Sequence, residues 1–225
     1  EKLQSLPSIG YRSSISAEGI IAMNPDLIII EKEYVKEELI EQLQATKIKA
    51  VIVEQKRSFE STKARIRIIA KELKREKEGE VMIENISKGL SKIEQKIKAV
   101  KERPKVLCVY ARGQGSMQIG GSNSAFTLLD VVGAQNAVPE IEGYKPLNAE
   151  ALIQANPDYI LFFKMGLESV GGIDAVLQIE GVSQVTAGKK RQIIAMDGLL
   201  LTNWGPRVVE AAQELFNLTH PDYTE

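Results

Sequence analysis

Two stretches of the chain carry the same order of apolar and polar positions. Residues 16–30 read Ser-Ala-Glu-Gly-Ile-Ile-Ala-Met-Asn-Pro-Asp-Leu-Ile-Ile-Ile, and residues 148–162 read Asn-Ala-Glu-Ala-Leu-Ile-Gln-Ala-Asn-Pro-Asp-Tyr-Ile-Leu-Phe. In each, a capping residue (Ser16, Asn148) is followed by an acid in the first turn (Glu18, Glu150), which predicts a helix start. Asn-Pro-Asp then ends the helix, because proline drives the residue before it out of helical geometry. The unbroken run of branched apolar residues that follows predicts a strand buried on both faces. Two such copies half a chain apart predict two similar α/β lobes with a cleft between them, and ligands settle preferentially in such clefts.

The rest of the pattern fits around the repeats. After a loop over residues 1–15, the first lobe reads as helix, strand 27–30, helix 35–45 and strand 50–53, the βαβ order of a parallel sheet. From Phe59 to Arg103, apolar Ile66, Ile69, Leu73, Ile86, Leu90, Ile93, Ile97 and Val100 recur at helical spacing among dense Lys and Glu. This predicts a long amphipathic helix, bent or split at Gly79 and ended by Pro104. The second lobe follows as strand 105–110, a glycine-rich loop, helix 123–132, the repeat, helix 172–179, strand 192–196 and a final helix near 206–217. The expected organisation is a lobe over 1–58, a connecting helix over 59–103 and a lobe over 104–225.

Composition narrows the function classes. The 29 basic and 30 acidic residues nearly cancel, and no basic stretch is interleaved with aromatics, so nothing points to nucleic acid. No apolar run approaches the roughly 18 residues of a membrane span. The lone cysteine, Cys108, lies inside the apolar run Val106–Tyr110 and reads as a core residue; it excludes an internal disulfide. The lone histidine, His220, stands among Thr, Pro and Asp and reads as a tail residue, which leaves no histidine-based triad or multi-histidine metal site. The chain opens at Glu1 in a polar stretch with no signal-peptide pattern, which is the expectation for a processed or trimmed product. With neither a phosphate loop nor a nucleophile elbow, an α/β enzyme is the weaker reading.

Three loops and two acids are candidates for chemistry. Leu6-Pro7-Ser8-Ile9-Gly10-Tyr11-Arg12 precedes the first repeat. A tyrosine after glycine in such a loop is placed to project into a cleft, and phenolate is a hard oxygen ligand known on haem iron. An adjacent arginine favours the phenolate and can pair with a carboxylate. The same tyrosine can instead pack on the lobe surface. Tyr110-Ala111-Arg112-Gly113-Gln114-Gly115 follows a strand and precedes a helix, where an α/β sheet exposes its carboxyl edge. Its glycines do not meet the dinucleotide spacing, since Gln118 stands where the third glycine belongs, so Arg112 reads as a cleft-facing cation on a flexible loop. Gly143-Tyr144-Lys145-Pro146-Leu147 precedes the second repeat as Gly10-Tyr11-Arg12 precedes the first. Opposed Gly-Tyr-cation loops suit a flat ligand bearing carboxylates, with Arg or Lys on the acids; an exposed turn is the competing reading. Glu37 and Glu168 each follow a repeat strand, as dipole-stabilised charges at a helix start or as lobe-tip acids that dock on a basic two-fold partner.

Together these residues resemble the haem-binding members of the periplasmic substrate-binding proteins that feed ABC importers, a helical-backbone class related to cobalamin and siderophore binders. The resemblance rests on Leu6-Pro7-x-x-Gly10-Tyr11, Ser16-Ala17-Glu18-Gly19, Asn24-Pro25-Asp26, Gly143-Tyr144-Lys145-Pro146-Leu147, Gly166-Leu167-Glu168-Ser169-x-Gly171-Gly172 and Met196-Asp197-x-Leu199-Leu200-Leu201, and runs to about Leu218. It implies an α/β fold of two Rossmann-like lobes, with mostly parallel sheets, joined by one long helix. It also implies a non-catalytic carrier that binds haem and delivers it to the importer, periplasmic or lipid-anchored outside the cytoplasmic membrane; ferric siderophore or cobalamin is the alternative ligand. Tyr11 matches the axial tyrosine on haem iron. Arg112 stands where some relatives place a second axial histidine, which implies five-coordinate iron through Tyr11 or a water or other group opposite it. Relatives carry an arginine two places after the tyrosine; here Ser13 stands there and Arg12 is shifted by one. Tyr144 and Lys145 fall in the Gly-Tyr-Lys-Pro-Leu element, and Glu37 and Glu168 match the acids that dock the membrane subunits. Relatives begin with a strand, helix and strand ahead of Leu6-Pro7, which this chain lacks, so the expectation is a trimmed form with an exposed sheet edge prone to self-association.

Overall fold

The computed structural model describes residues 6–11, 14–113 and 115–223. The chain divides into two compact units, Glu1–Ile83 and Glu84–Glu225. The segment expected to connect two lobes contributes its first helix and the start of its second to the first unit, and the rest to the second unit.

In the first unit, helix α1 (Ala17–Ile21) leads to strand β1 (Leu27–Glu31), helix α2 (Glu37–Gln44) and strand β2 (Lys49–Val53). The strands pair in parallel with Ile29 opposite Val51. Ser16 caps α1 by accepting the Gly19 N–H at 3.1 Å. Ile20, Ile28, Ile30, Leu39, Ile40 and Leu43 bury together between the helices and the sheet. The expectation of burial on both faces fails for β1. Its residues alternate, and Ile29 stays 42% exposed, because among the described residues helices cover only one face of this two-stranded sheet.

Helix α3 (Phe59–Glu72) and helix α4 (Glu76–Ala99) replace the single long helix. The break falls at Lys74, in left-handed backbone at φ 55°, where the Arg75 N–H reaches back to the Ala70 carbonyl at 2.7 Å. Gly79, the expected break point, lies inside α4. A Cβ there would sit 2.6 Å from that of Ala70, so the glycine serves close helix packing. Across this hairpin the Arg67 guanidinium meets Glu80 at 2.8 Å and holds that carboxyl below its ordinary range through the hydrogen bond.

The second unit is built on a six-stranded sheet. Strand β3 (Lys105–Ala111) is flanked by antiparallel β4 (Met117–Gly120) and, near its start, by parallel β5 (Gln135–Asn136). On its other side run parallel β7 (Tyr159–Phe163) and β8 (Ile193–Met196), while β6 (Tyr144–Pro146) extends the sheet beyond β4. The expected glycine-rich loop is thus partly a hairpin. The helix expected over 123–132 shrinks to α5 (Leu128–Val131). Helices α6 (Ala149–Ala155), α7 (Lys164–Ser169), α8 (Gly172–Leu177), α9 (Thr186–Lys189), α10 (Gly198–Thr202) and α11 (Val208–Thr219) complete the unit. Asn148 caps α6 by accepting the Ala151 N–H at 2.8 Å. Here the repeat strand β7 is buried on both faces as expected, with Leu161 and Phe162 fully enclosed. Cys108 is also fully buried, and that burial pushes its thiol pKa up.

His220 departs from expectation. It is buried at the end of α11, with its ring stacked on Phe216 at a centroid distance of 4.6 Å. Among the described residues, no helix is long and apolar enough to cross a membrane.

Candidate functional site

In the first unit the candidate site is the turn at Tyr11. Gly10 takes φ 97°, a conformation that a side chain opposes, and a Cβ there would come within 2.7 Å of Ser14 Oγ. Ser14 closes the turn: its hydroxyl donates to the Tyr11 carbonyl at 2.9 Å and accepts the Tyr11 N–H at 2.8 Å. The Tyr11 ring meets the Tyr34 ring edge-on at 6.1 Å while the side chain stays 65% exposed. Beside it, Ile9, Gly10, Ile28, Ile29 and Tyr34 help line an apolar hollow of about 310 Å³. Arg12 lies outside the described residues.

In the second unit β3, β7 and β8 run parallel, so their carboxyl ends share one edge, where open α/β sheets present ligand sites. Arg112 leaves β3 at that edge. Its guanidinium carbon stands 5.4 Å from the centre of the Tyr110 ring, a cation–π contact. Tyr110 meets Phe163 at 5.9 Å and Tyr144 at 6.2 Å, both edge-on, and Phe163 stacks on Phe126 at 5.1 Å. The Tyr144 hydroxyl accepts the Ala125 N–H at 3.1 Å. The loop after Arg112 is held by Ser169 Oγ, which accepts the Gly113 N–H at 2.9 Å and donates to the Gly166 carbonyl at 2.7 Å.

The structure therefore brings Arg112 and Tyr144 together around Tyr110. Lys145 does not join them. It is the middle residue of β6, so it projects from the opposite face of the strand to Tyr144. The expected exposed loop is a sheet edge, with Tyr144 opposite Gly120 and Lys145 opposite Ile119. Glu37 opens α2 and is exposed, as the dipole reading requires. Glu168 is exposed too but sits in the last turn of α7, where the helix dipole disfavours an acid, so that reading fails for it. Sequence reasoning missed the rings of Phe126 and Phe163 and the hydroxyl of Ser169. Phe163 carried a signal, since it directly follows the predicted repeat strand that ends at Phe162, at the ligand-binding edge. Two further hollows of the second unit, about 480 and 420 Å³, lie beside Gly121–Thr127 and at the amino ends of β3, β7 and β8; neither contains a candidate ligand residue. No cluster of three or more His, Cys, Asp and Glu fit for a metal ion occurs among the described residues.

A family model for periplasmic binding proteins matches residues 1–199. Among solved structures, the chain is similar to the periplasmic heme-binding protein RhuT from Roseiflexus sp. RS-1 in its apo form. Identity is 32%, the TM-score is 0.88, and the match covers 99% of this chain and 85% of that one. It is also similar to the periplasmic heme-binding protein BhuT in complex with two hemes, at 28% identity, a TM-score of 0.90 and coverage of 99% and 84%. Among curated proteins it is similar to an uncharacterized ABC transporter substrate-binding lipoprotein, YvrC, of Bacillus subtilis (strain 168). That match has 25% identity over 215 residues, 93% of this chain and 66% of the relative, so the chain spans just under two thirds of that protein's length.

Proposed function

The chain belongs to the periplasmic binding protein family, and we propose that within it this protein captures haem outside the cytoplasmic membrane and delivers it to the membrane subunits of an ABC importer. The observation that carries this reading is the exposed Tyr11 phenol, set on a Gly10–Ser14 turn beside an apolar hollow, in a chain similar to solved heme-binding proteins. The protein acts as a carrier and not as a catalyst.

Binding joins three kinds of contact. The Tyr11 phenol gives up its proton and its oxygen takes the ferric iron, a hard ligand for a hard ion. Apolar side chains cover the porphyrin faces, where burial supplies about 25 cal/mol per Å². Arg112 pairs with a propionate by charge-assisted hydrogen bonds, and its seat over the Tyr110 ring reduces the side-chain freedom lost on binding. Because arginine cannot bind iron, the haem is five-coordinate through Tyr11 unless a water or another group stands opposite. Arg12 is assigned to a propionate and Tyr144 to the macrocycle rim, while Lys145, on the opposite face of β6, has no part in the site. Glu37 and Glu168 are assigned to the importer's basic pockets, and α4 links the two lobes.

A ligand panel tests the substrate class. Hemin, cyanocobalamin and a ferric hydroxamate siderophore are titrated separately and followed by quenching of the single tryptophan, Trp204. Saturable quenching by hemin alone is expected. Saturation by the siderophore or cobalamin, with none by hemin, would transfer the protein to the other branch of its family.

A further inference from the structure

The second unit holds a hollow of about 420 Å³ at the amino ends of β3, β7 and β8, the sheet edge opposite to the one from which Arg112 leaves β3. None of the residues assigned to haem lines it. Its deeper polar lining is Tyr159 and His220, 7% and 4% exposed, with the half-buried Gln192 hydrogen-bonded to Tyr159.

Two acceptors here lack donors. The Thr219 hydroxyl gives its proton to the Leu215 carbonyl and accepts that of His220 Nδ1, so the buried Nε2 carries a lone pair that no group meets. Gln192 Oε1 is buried and unmet in the same way. The Tyr159 phenol fixes that amide's orientation. Burial pushes the phenol's pKa up, as do the Asp222 and Asp158 carboxylates, while the hydrogen bond with Gln192 pulls it down. A bond that favours phenolate is one that Gln192 donates, so the amide nitrogen faces the phenol and Oε1 is left over. Buried acceptors without donors cost free energy, and two in one hollow call for an occupant that brings N–H or O–H groups.

Charge narrows the occupant. Asp158 and Asp222 both act on the Tyr159 phenol. Of the cations around the hollow, Arg103 is turned to the Gly133 and Ala134 carbonyls at 3.2 and 3.0 Å, and Lys101 and Lys190 are exposed on long stems that carry their charge into water. One Asp158 oxygen accepts the Lys105 N–H at 2.8 Å, so Asp222 is the carboxylate for an occupant. A metal ion is poorly served, since no cluster of three or more His, Cys, Asp and Glu occurs among the described residues. We infer that this hollow binds the ammonium head of a small primary amine, its three N–H groups meeting His220 Nε2, Gln192 Oε1 and the Asp222 carboxylate. An ammonium group has three donors and no acceptor, which matches three acceptors, one of them charged. Pro104 and Tyr223 also line the hollow and cover a short alkyl chain. The site is independent of the haem reading.

The test follows the melting temperature at about pH 7.5, where the imidazole is neutral, as propylammonium chloride or tetramethylammonium chloride is added at matched ionic strength. Propylammonium should raise it saturably by binding the folded state, and tetramethylammonium, which has the charge but no N–H, should not. His220→Phe and Asp222→Asn should each need about tenfold more propylammonium for half the rise. Far-UV circular dichroism checks that both variants fold, and Asp222 is exposed, so its substitution leaves the packing intact. Equal responses to the two ions, or no response to propylammonium, would overturn the site. Unaltered half-saturation in both variants would overturn it as well.

Discussion

The imidazole of His220 lies between two opposing influences. Its place at the end of α11, with the Phe216 carbonyl beside it, favours a positive charge, whereas burial disfavours one. Burial wins, and the pKa falls below the ordinary 6.5. The Thr219 hydroxyl donates to the Leu215 carbonyl at 2.8 Å, so at its 2.9 Å contact with His220 it accepts the Nδ1 proton; Nε2 is left a buried acceptor with no hydrogen-bond partner. The unfolded chain takes up this proton first, so stability is full above 6.5 and falls as pH drops through that value toward the lower folded pKa. Melting temperatures measured from about pH 7.5 down to 5.5 should fall more steeply for wild type than for His220→Phe. Equal slopes would remove His220 from the account. Its burial was illegible in sequence because Thr, Pro and Asp surround it; the signal was Phe216, one turn earlier. Tyr11 was legible as a projecting residue through its glycine, whereas the rings beneath Arg112 come from three distant segments that only the fold gathers.

The two repeats show how far an element can be read. Both caps form as their residues dictate, and both asparagines before proline take left-handed backbone, Asn24 at φ 49° and Asn156 at φ 40°. The strands differ although their sequences match, since β7 has cover on both faces and β1 on one; burial depends on neighbours that a local pattern does not contain. Strands β4 and β6 escaped notice because Gly120, Gly143 and Pro146 interrupt any alternation, and α7 because it follows β7 with no intervening turn. Helical spacing did predict the inner face of α4, where Ile86 and Ile93 are buried. Between them Gly89 permits close approach to α11: a Cβ would fall 2.2 Å from Val209 Cγ1. Gly89→Ala should therefore destabilise the second unit by about 1–3 kcal/mol despite alanine's better helix propensity, read as a lower midpoint in urea. A raised midpoint would mean that propensity outweighs the overlap.

At the scale of the whole molecule, the chain forms two α/β units, and the proposed carrier role asks them both to bind and to deliver. Delivery is assigned to Glu37 and Glu168, exposed acids on separate units. Exposed charges of this kind govern docking to a partner more than stability. Glu37→Lys, Glu168→Lys should keep hemin affinity and lose stimulation of the cognate importer's ATPase activity in liposomes, with wild-type stimulation weakening as salt rises. Full stimulation by the double variant would place the docking surface elsewhere. The central claim, haem held through Tyr11, is tested most directly by titrating hemin into wild type and Tyr11→Phe and recording visible spectra. Saturable binding with a high-spin, phenolate-type ferric spectrum that disappears in the variant is the predicted result. The same spectrum and the same affinity in both proteins would contradict it.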